Sequence, residues 1–210
     1  MIWTPIRKKK FEFDMHIGVD VDGVLRRLVQ SIRREFLKDF PKAEDKLKIS
    51  DNLEFWDIRK LSTDPKLGKY IENYALEEPE ASFRCFRNAD PFGGEIEAME
   101  RLYHDAKFED HIVSICTSQY NPWHKRATVR WLQEHEVPYD NVILNGSDKG
   151  IYGLDCLLDD RVKNCMSVEQ NGGRGALKLM NYNKEKRKSG DVTFHCNSVD
   201  QFRKAILEFQ

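Results

Sequence analysis

Short apolar runs separated by amphipathic stretches set the pattern of this chain. The runs are residues 15–21 (MHIGVDV), 111–117 (HIVSICT), 141–144 (NVIL), 156–158 (CLL) and 176–182 (ALKLMNY). Each is too short for a helix and rich in Val, Ile or Leu, the pattern of a strand buried on both faces. Between them the spacing changes. Leu25, Leu28, Val29, Ile32, Phe36 and Phe40 recur at helical intervals after the first run, and Ile96, Met99, Leu102 and Tyr103 do so before the second. A last helix is predicted from the capping box Ser198-x-x-Gln201 through Phe202, Ile206 and Leu207. Strands alternating with helices predict an α/β fold, a three-layer Rossmann-like core around a parallel sheet.

Residues 41–90 break the alternation. They hold a helical stretch over 65–76 and several aromatics, but no clear sheet strand. This predicts a small, mostly helical cap inserted after the first strand. The chain then divides into a catalytic core (14–24 and 91–210), a cap (25–90) and an N-terminal arm (1–13). In an open parallel sheet, ligands sit beyond the carboxyl ends of the strands, so an insertion there would roof the site.

Composition narrows the function. Of 210 residues, 34 are basic and 35 acidic, a balance unlike the clearly basic domain of a polyanion binder. Two basic runs, residues 7–10 (RKKK) and 184–188 (KEKRK), read as solvated segments, with weak phosphate steering as the alternative. The five cysteines (85, 116, 156, 165, 196) form no C-x-x-C pair, so neither a disulfide framework nor a zinc site is indicated. No stretch approaches the roughly 18 apolar residues of a membrane span, and the first residues lack the apolar segment of a signal peptide. A reducing cytoplasm is the expectation.

Reactive side chains gather at the predicted strand ends. The first run ends in Asp20-Val21-Asp22-Gly23 and the second in Thr117-Ser118; Lys149 follows the third, and the fourth ends in Asp159-Asp160. Singly these read as a surface pair, a helix cap, a solvated lysine and a loop. Together, at the carboxyl ends of successive strands, they suit phosphoryl transfer. A carboxylate nucleophile approaching an anionic ester needs a cation, and hard carboxylate oxygens suit Mg²⁺. Lys149 would offset remaining charge, and the Thr117 hydroxyl with nearby N–H groups would hold the transferring oxygens. One carboxylate can form an aspartyl-phosphate while its neighbour protonates the leaving alcohol and later activates water.

These four motifs, Asp20-Val21-Asp22-Gly23-Val24, Thr117, Lys149 and Asp159-Asp160, resemble those of haloacid dehalogenase superfamily phosphatases. The likeness runs from about residue 15 to 208. More narrowly the chain resembles the 5′(3′)-deoxyribonucleotidases, through DVDGVL, ICTS, the Asp148-Lys149 pair, LLDDR, Phe55-Trp56 and the closing helix. The resemblance implies Asp20 as nucleophile and metal ligand. It implies Asp22 as general acid/base with its carbonyl on the metal, and Asp160 as the second metal carboxylate, supported by Asp159. Thr117, with Ser118 beside it, would bind the phosphoryl group, and Lys149 would stabilise nucleophile and phosphate. Lys125 resembles a phosphate-side lysine of that family, a plain helix-surface lysine being the alternative. Phe55, Trp56 and Phe86 resemble cap aromatics that face the base, the alternative being the cap's own small core.

The chain also departs from that family. Arg26-Arg27 stand where it tends to have a small and an acidic residue, and Ser147 replaces a basic one. The arginines would favour a more highly charged ester or a nucleic-acid end, or else form the exposed face of the first helix. Asn171-Gly172-Gly173-Arg174-Gly175 precedes a predicted strand rather than a helix, and reads as a flexible loop. The resulting expectation is a Mg²⁺-dependent phosphomonoesterase acting on (deoxy)nucleoside monophosphates. The partner is a small phosphate ester, with no membrane and with nucleic acid not favoured; the family implies a homodimer. The alternatives are a phosphatase of nucleic-acid ends or of another metabolite, and a non-catalytic phosphate-binding module.

Overall fold

The computed structural model describes residues 14–48, 57–144, 148–185, 192 and 194–208. Six parallel strands form one sheet in the order β3-β2-β1-β4-β5-β6: β1 (His16–Val19), β2 (Ile112–Cys116), β3 (Asn141–Ile143), β4 (Cys156–Asp159), β5 (Arg174–Lys178) and β6 (Phe194–Cys196). The five predicted runs each overlap a strand. β6 was not anticipated, because three residues containing a histidine carry no apolar run of their own. Strand order reverses between β1 and β4, and the crevice beyond that point is where such sheets bind ligands.

The helices are α1 (Leu28–Asp39), α2 (Pro65–Leu76), α3 (Pro79–Arg87), α4 (Glu95–Phe108), α5 (Pro122–Glu134), α6 (Val162–Gln170) and α7 (Val199–Arg203), the last continuing as a π-helical turn over Lys204–Glu208. Side chains alternate across the sheet. Ile17, Val19, Val113, Ile115, Cys156 and Leu158 join Met99 and Leu102 of α4, Trp131 and Leu132 of α5 and Phe202 of α7 in the largest apolar cluster. On the opposite face α6 packs on β4 and β5, with Val168 against Leu157 and Cys165 against Leu177. Three layers result, as the alternation predicts.

The segment 171–175 is not a loop throughout. Arg174 and Gly175 begin β5, and a Cβ on Gly175 would lie 2.6–2.8 Å from Cys165 of α6. That glycine therefore serves close packing of helix on strand, not flexibility. All five cysteines are buried and free.

Between β1 and β2 lies a second apolar cluster. Leu28, Ile32 and Phe36 of α1 meet Ile71, Tyr74 and Ala75 of α2, Ala81, Cys85 and Phe86 of α3, and Ala127 of α5. The ring of Phe36 lies 4.8 Å from Phe40 and edge-on to Tyr74 at 5.2 Å. Helix α2 spans the predicted 65–76, with Pro65 at its first position and the Asp64 carboxylate accepting from the Lys66 amide at 2.9 Å. The two chain crossings into this module run side by side. The Arg27 amide donates to the Asp90 carbonyl and the Phe92 amide to the Leu25 carbonyl, making a short ribbon of 25–27 against 90–92. Helix α1 starts at Leu28 and not at Leu25, because residues 25–27 are spent on this ribbon.

Candidate active site

At the end of β1 the Asp20 amide still pairs with the Leu158 carbonyl of β4, so Asp20 leaves the sheet in strand geometry. The chain then turns tightly: the amides of Val24, Leu25 and Arg26 all donate to the Val21 carbonyl. Gly23 sits at φ 81°, and a Cβ there would fall 2.2 Å from Asp160 Oδ2. Both its backbone angle and its nearest neighbour require glycine.

The motif residues converge as expected. Lys149 is wholly buried, with its Nζ 3.0 Å from Asp20 Oδ1 and 2.6 Å from Asp159 Oδ2. Asp159 is held further by the Asn164 amide at 2.9 Å and the Arg161 backbone N–H at 2.8 Å. It is thus the anchor of Lys149 as much as a support for Asp160. Oxygens of Asp20, Asp159 and Asp160 all lie within 4.8 Å of one another. Burial, the charge of Asp159 and the charge of Asp20 push Asp160 up to about 8. Burial likewise raises Asp20 to about 6, against the pull of Lys149. Burial alone would lower Lys149, but Asp159 and Asp20 outweigh it and hold the lysine charged.

A divalent cation fits this donor set. Asp20, Asp22, Asp159 and Asp160 are all buried, and three hard carboxylates stand close enough to share an ion. The raised affinities of Asp20 and Asp160 for protons reflect burial first and the neighbouring carboxylates after it.

Asp22 has different company. Its Oδ1 accepts from Arg26 Nε at 2.7 Å, and its Oδ2 from Gln119 Nε2 at 2.9 Å. Gln119 also reaches Thr117 Oγ1 at 3.2 Å, linking the end of β2 to the end of β1. Arg26 is 0 % exposed. It is therefore no part of an exposed helix face, which corrects one sequence expectation: its charge is tolerated inside because Asp22 and two further acceptors meet it. Arg27 is half-buried, its guanidinium 5.1 Å from the Phe92 ring centroid.

Gln119, Asn164, Tyr182 and Asn183 were missed by the sequence reading. Tyr182 donates its hydroxyl to Asp160 Oδ2, and the Asn183 amide caps the Asp160 carbonyl at 2.8 Å. Only their closeness to the motifs could have suggested Gln119 and Asn164; Tyr182 and Asn183 lie on a separate turn after β5.

Of the expected substrate contacts, Ser118 follows Thr117 at the mouth, half-buried. Lys125 lies one turn into α5 and lines a groove of about 580 Å³ with Phe83, Arg87, Arg126, Val129 and Arg130. That groove does not include the aspartates. Phe86 is 4 % exposed and stacked on His124, with ring centroids 4.3 Å apart, so its burial favours the alternative of a cap core. Burial pushes His124 down to about 4, although Asp22 opposes this. Phe55, Trp56 and Ser147 lie outside the described residues.

Comparison with known proteins agrees with this architecture. No curated protein sequence matches the chain. A haloacid dehalogenase-like family hydrolase, SP0104 from Streptococcus pneumoniae, superposes with a TM-score of 0.56 at 13% identity, covering 94% of this chain and 99% of that one. CbbY from Rhodobacter sphaeroides, in complex with phosphate, gives 0.56 at 14% identity over 90% and 96%. L-2-haloacid dehalogenase from Xanthobacter autotrophicus gives 0.55 at 10% identity over 92% and 98%. At such identities the likeness establishes the fold. The family is carried by sequence: the model described as "5' nucleotidase, deoxy (Pyrimidine), cytosolic type C protein" matches residues 14–195. The chain belongs to that 5′-nucleotidase family, whose members are phosphatases built on the haloacid dehalogenase fold.

Proposed function

We propose that the protein is a Mg²⁺-dependent phosphomonoesterase that hydrolyses nucleoside monophosphates, deoxyribonucleotides first, through an aspartyl-phosphate on Asp20. The observation that carries this reading is the buried cluster of Asp20, Asp159 and Asp160 around Lys149, in a chain of the 5′-nucleotidase family. Asp20 and Asp160, with the Asp22 carbonyl, would hold the ion, which when bound supplies positive charge to the phosphoryl oxygens. Asp20 attacks phosphorus and the ester P–O bond breaks. Asp22 gives its proton to the departing alcohol, then takes one from the water that cleaves the aspartyl-phosphate. The Thr117 hydroxyl and the Lys149 ammonium bind the phosphoryl oxygens, and Lys149 keeps Asp20 ionised for attack. Ser118 and Lys125 extend this contact toward the substrate mouth. The cap between β1 and β2 would cover a small substrate, and a cytosolic compartment fits the family description. Among the described residues no helix is long and apolar enough to cross a membrane.

The basic groove along α5 gives an end-processing phosphatase little separate support, because Arg87 and Arg130 are both paired with Glu134. Phosphate release is to be measured from deoxy- and ribonucleoside monophosphates, sugar phosphates and phosphorylated oligonucleotides, with Mg²⁺ or chelator, beside Asp20→Asn. Mg²⁺- and Asp20-dependent turnover that favours one nucleotide group is the expected result. Turnover of oligonucleotide ends alone would overturn the nucleotidase reading, and no turnover by a folded, metal-bound protein would overturn the enzyme.

A further inference from the structure

Arg26 is a full-length cation with no exposed surface. Its Nε and Nη2 both lie 2.7 Å from Asp22 Oδ1. Nη1 donates to the Phe86 carbonyl at the end of cap helix α3 (3.0 Å), and Nη2 to the Thr128 hydroxyl of core helix α5 (3.1 Å). The guanidinium carbon stands 5.2 Å from the Phe86 ring centroid and 5.4 Å from that of Trp131. The residue's backbone lies on the ribbon where the chain enters the cap, bridged to Pro91.

Burying an arginine for stability alone is a poor use of the site, since an apolar side chain of similar volume would fill it without the loss of hydration. Nor is Arg26 free to bind a phosphate, for its donors are spent on Asp22, Phe86 and Thr128. What it does do is fix one carboxylate oxygen of Asp22 while Gln119 holds the other. A carboxylate gripped at both oxygens cannot rotate away from the ester, and a fixed planar fork sets its angle better than a lysine could.

We propose that Arg26 is a positioning residue, which aims the Asp22 carboxylate at the leaving oxygen and ties that aim to the 25–27 ribbon and to the end of α3. This rests on the reading of Asp22 as the general acid/base. It makes no contact with substrate and acts only through Asp22.

The test uses leaving groups. A p-nitrophenolate leaves without a proton, whereas the alkoxide of thymidine 5′-monophosphate needs one. The ratio kcat/KM covers the steps up to loss of the leaving group, so it includes this proton transfer and leaves out hydrolysis of the aspartyl-phosphate. Arg26→Met is expected to lower kcat/KM for thymidine monophosphate by roughly 100-fold, the scale of a lost general acid, and for p-nitrophenyl phosphate by about tenfold less. Arg26→Lys, which keeps the charge but not the fork, should show the same selectivity to a smaller degree, and it carries the test if the methionine variant does not fold. In an Asp22→Asn background, Arg26→Met should add less than about 3-fold, because the two act as one unit.

Equal losses on both esters from Arg26→Met or Arg26→Lys, while Asp22→Asn remains selective, would overturn the positioning role and leave the mechanism standing. If Asp22→Asn itself shows no leaving-group selectivity, the acid/base reading falls and the role of Arg26 falls with it.

Discussion

The carboxylates of the site fall into two groups that are built in opposite ways. On the β4 side, Asp20 and Asp159 share the cation Lys149 with Asp160 beside them, and burial with mutual repulsion lifts Asp20 and Asp160 above the ordinary carboxylate range. On the side of the 25–27 ribbon, Asp22 has the Arg26 guanidinium on one oxygen and an amide on the other. One group is left rich in negative charge, which a bound cation would offset. The other is balanced from within, and its charge is held in a fixed direction. Two aspartates separated by one residue thus sit in different electrostatic surroundings because their neighbours differ, not because their chemistry does.

The sharpest way to break this contrast is to remove the proposed nucleophile. Asp20→Asn should lower turnover by roughly 1,000-fold or more, while the protein folds at least as well, since a buried like charge has gone; phosphate-release kinetics beside a thermal melt check both halves. A surviving activity within tenfold of wild type would end the assignment.

Lys149→Met should cost stability as well as activity. It leaves Asp159 and Asp20 buried without their cation, a loss of about 3–5 kcal/mol for breaking a buried pair, read by urea denaturation.

The negative charge of the first group also predicts a pH dependence. Because the folded-state pKa of Asp160 and of Asp20 is raised from 3.8, the folded protein binds protons more tightly than the unfolded chain. Their contribution is fully present below about pH 4 and is lost as pH rises through about 6 and then about 8. With chelator, these two groups should pull the melting temperature down over that window. Saturating Mg²⁺ should flatten the decline, so that metal stabilises more at pH 8 than at pH 5. A metal effect independent of pH would contradict this.

Tyr182→Phe is the mildest change. It removes one donor from Asp160 and should weaken Mg²⁺ binding by about tenfold, the lower range for a group that orients a metal ligand. Titrating activity against Mg²⁺ measures it. An unchanged midpoint would mean that Asp160 is held by its backbone alone.

Much of the core was legible beforehand. Strands β1 to β5 announce themselves because a strand buried on both faces must be a continuous apolar run, and the reactive residues follow those runs directly. The helix over 65–76 is marked by its proline and its capping aspartate. Strand β6 was not legible, since its three residues gain their strand character only from β5 beside them. Neither was the start of α1: Leu25 fits the helical spacing, but residues 25–27 pair with 90–92, a partner far along the chain.

By itself, then, the sequence determined five of the six strands, the motif residues at their carboxyl ends, and the family they belong to. These depend on local periodicity and on side chains attached to strand ends, which a single segment encodes. The tertiary structure alone decided which carboxylate pairs with which cation. Arg26 reads as a surface arginine until Asp22, Phe86 and Thr128 surround it. Asp160 looks like one half of an acidic loop until Tyr182 and Asn183 reach it from a separate turn. Burial and charge pairing arise between distant segments, and only the folded chain brings those segments together.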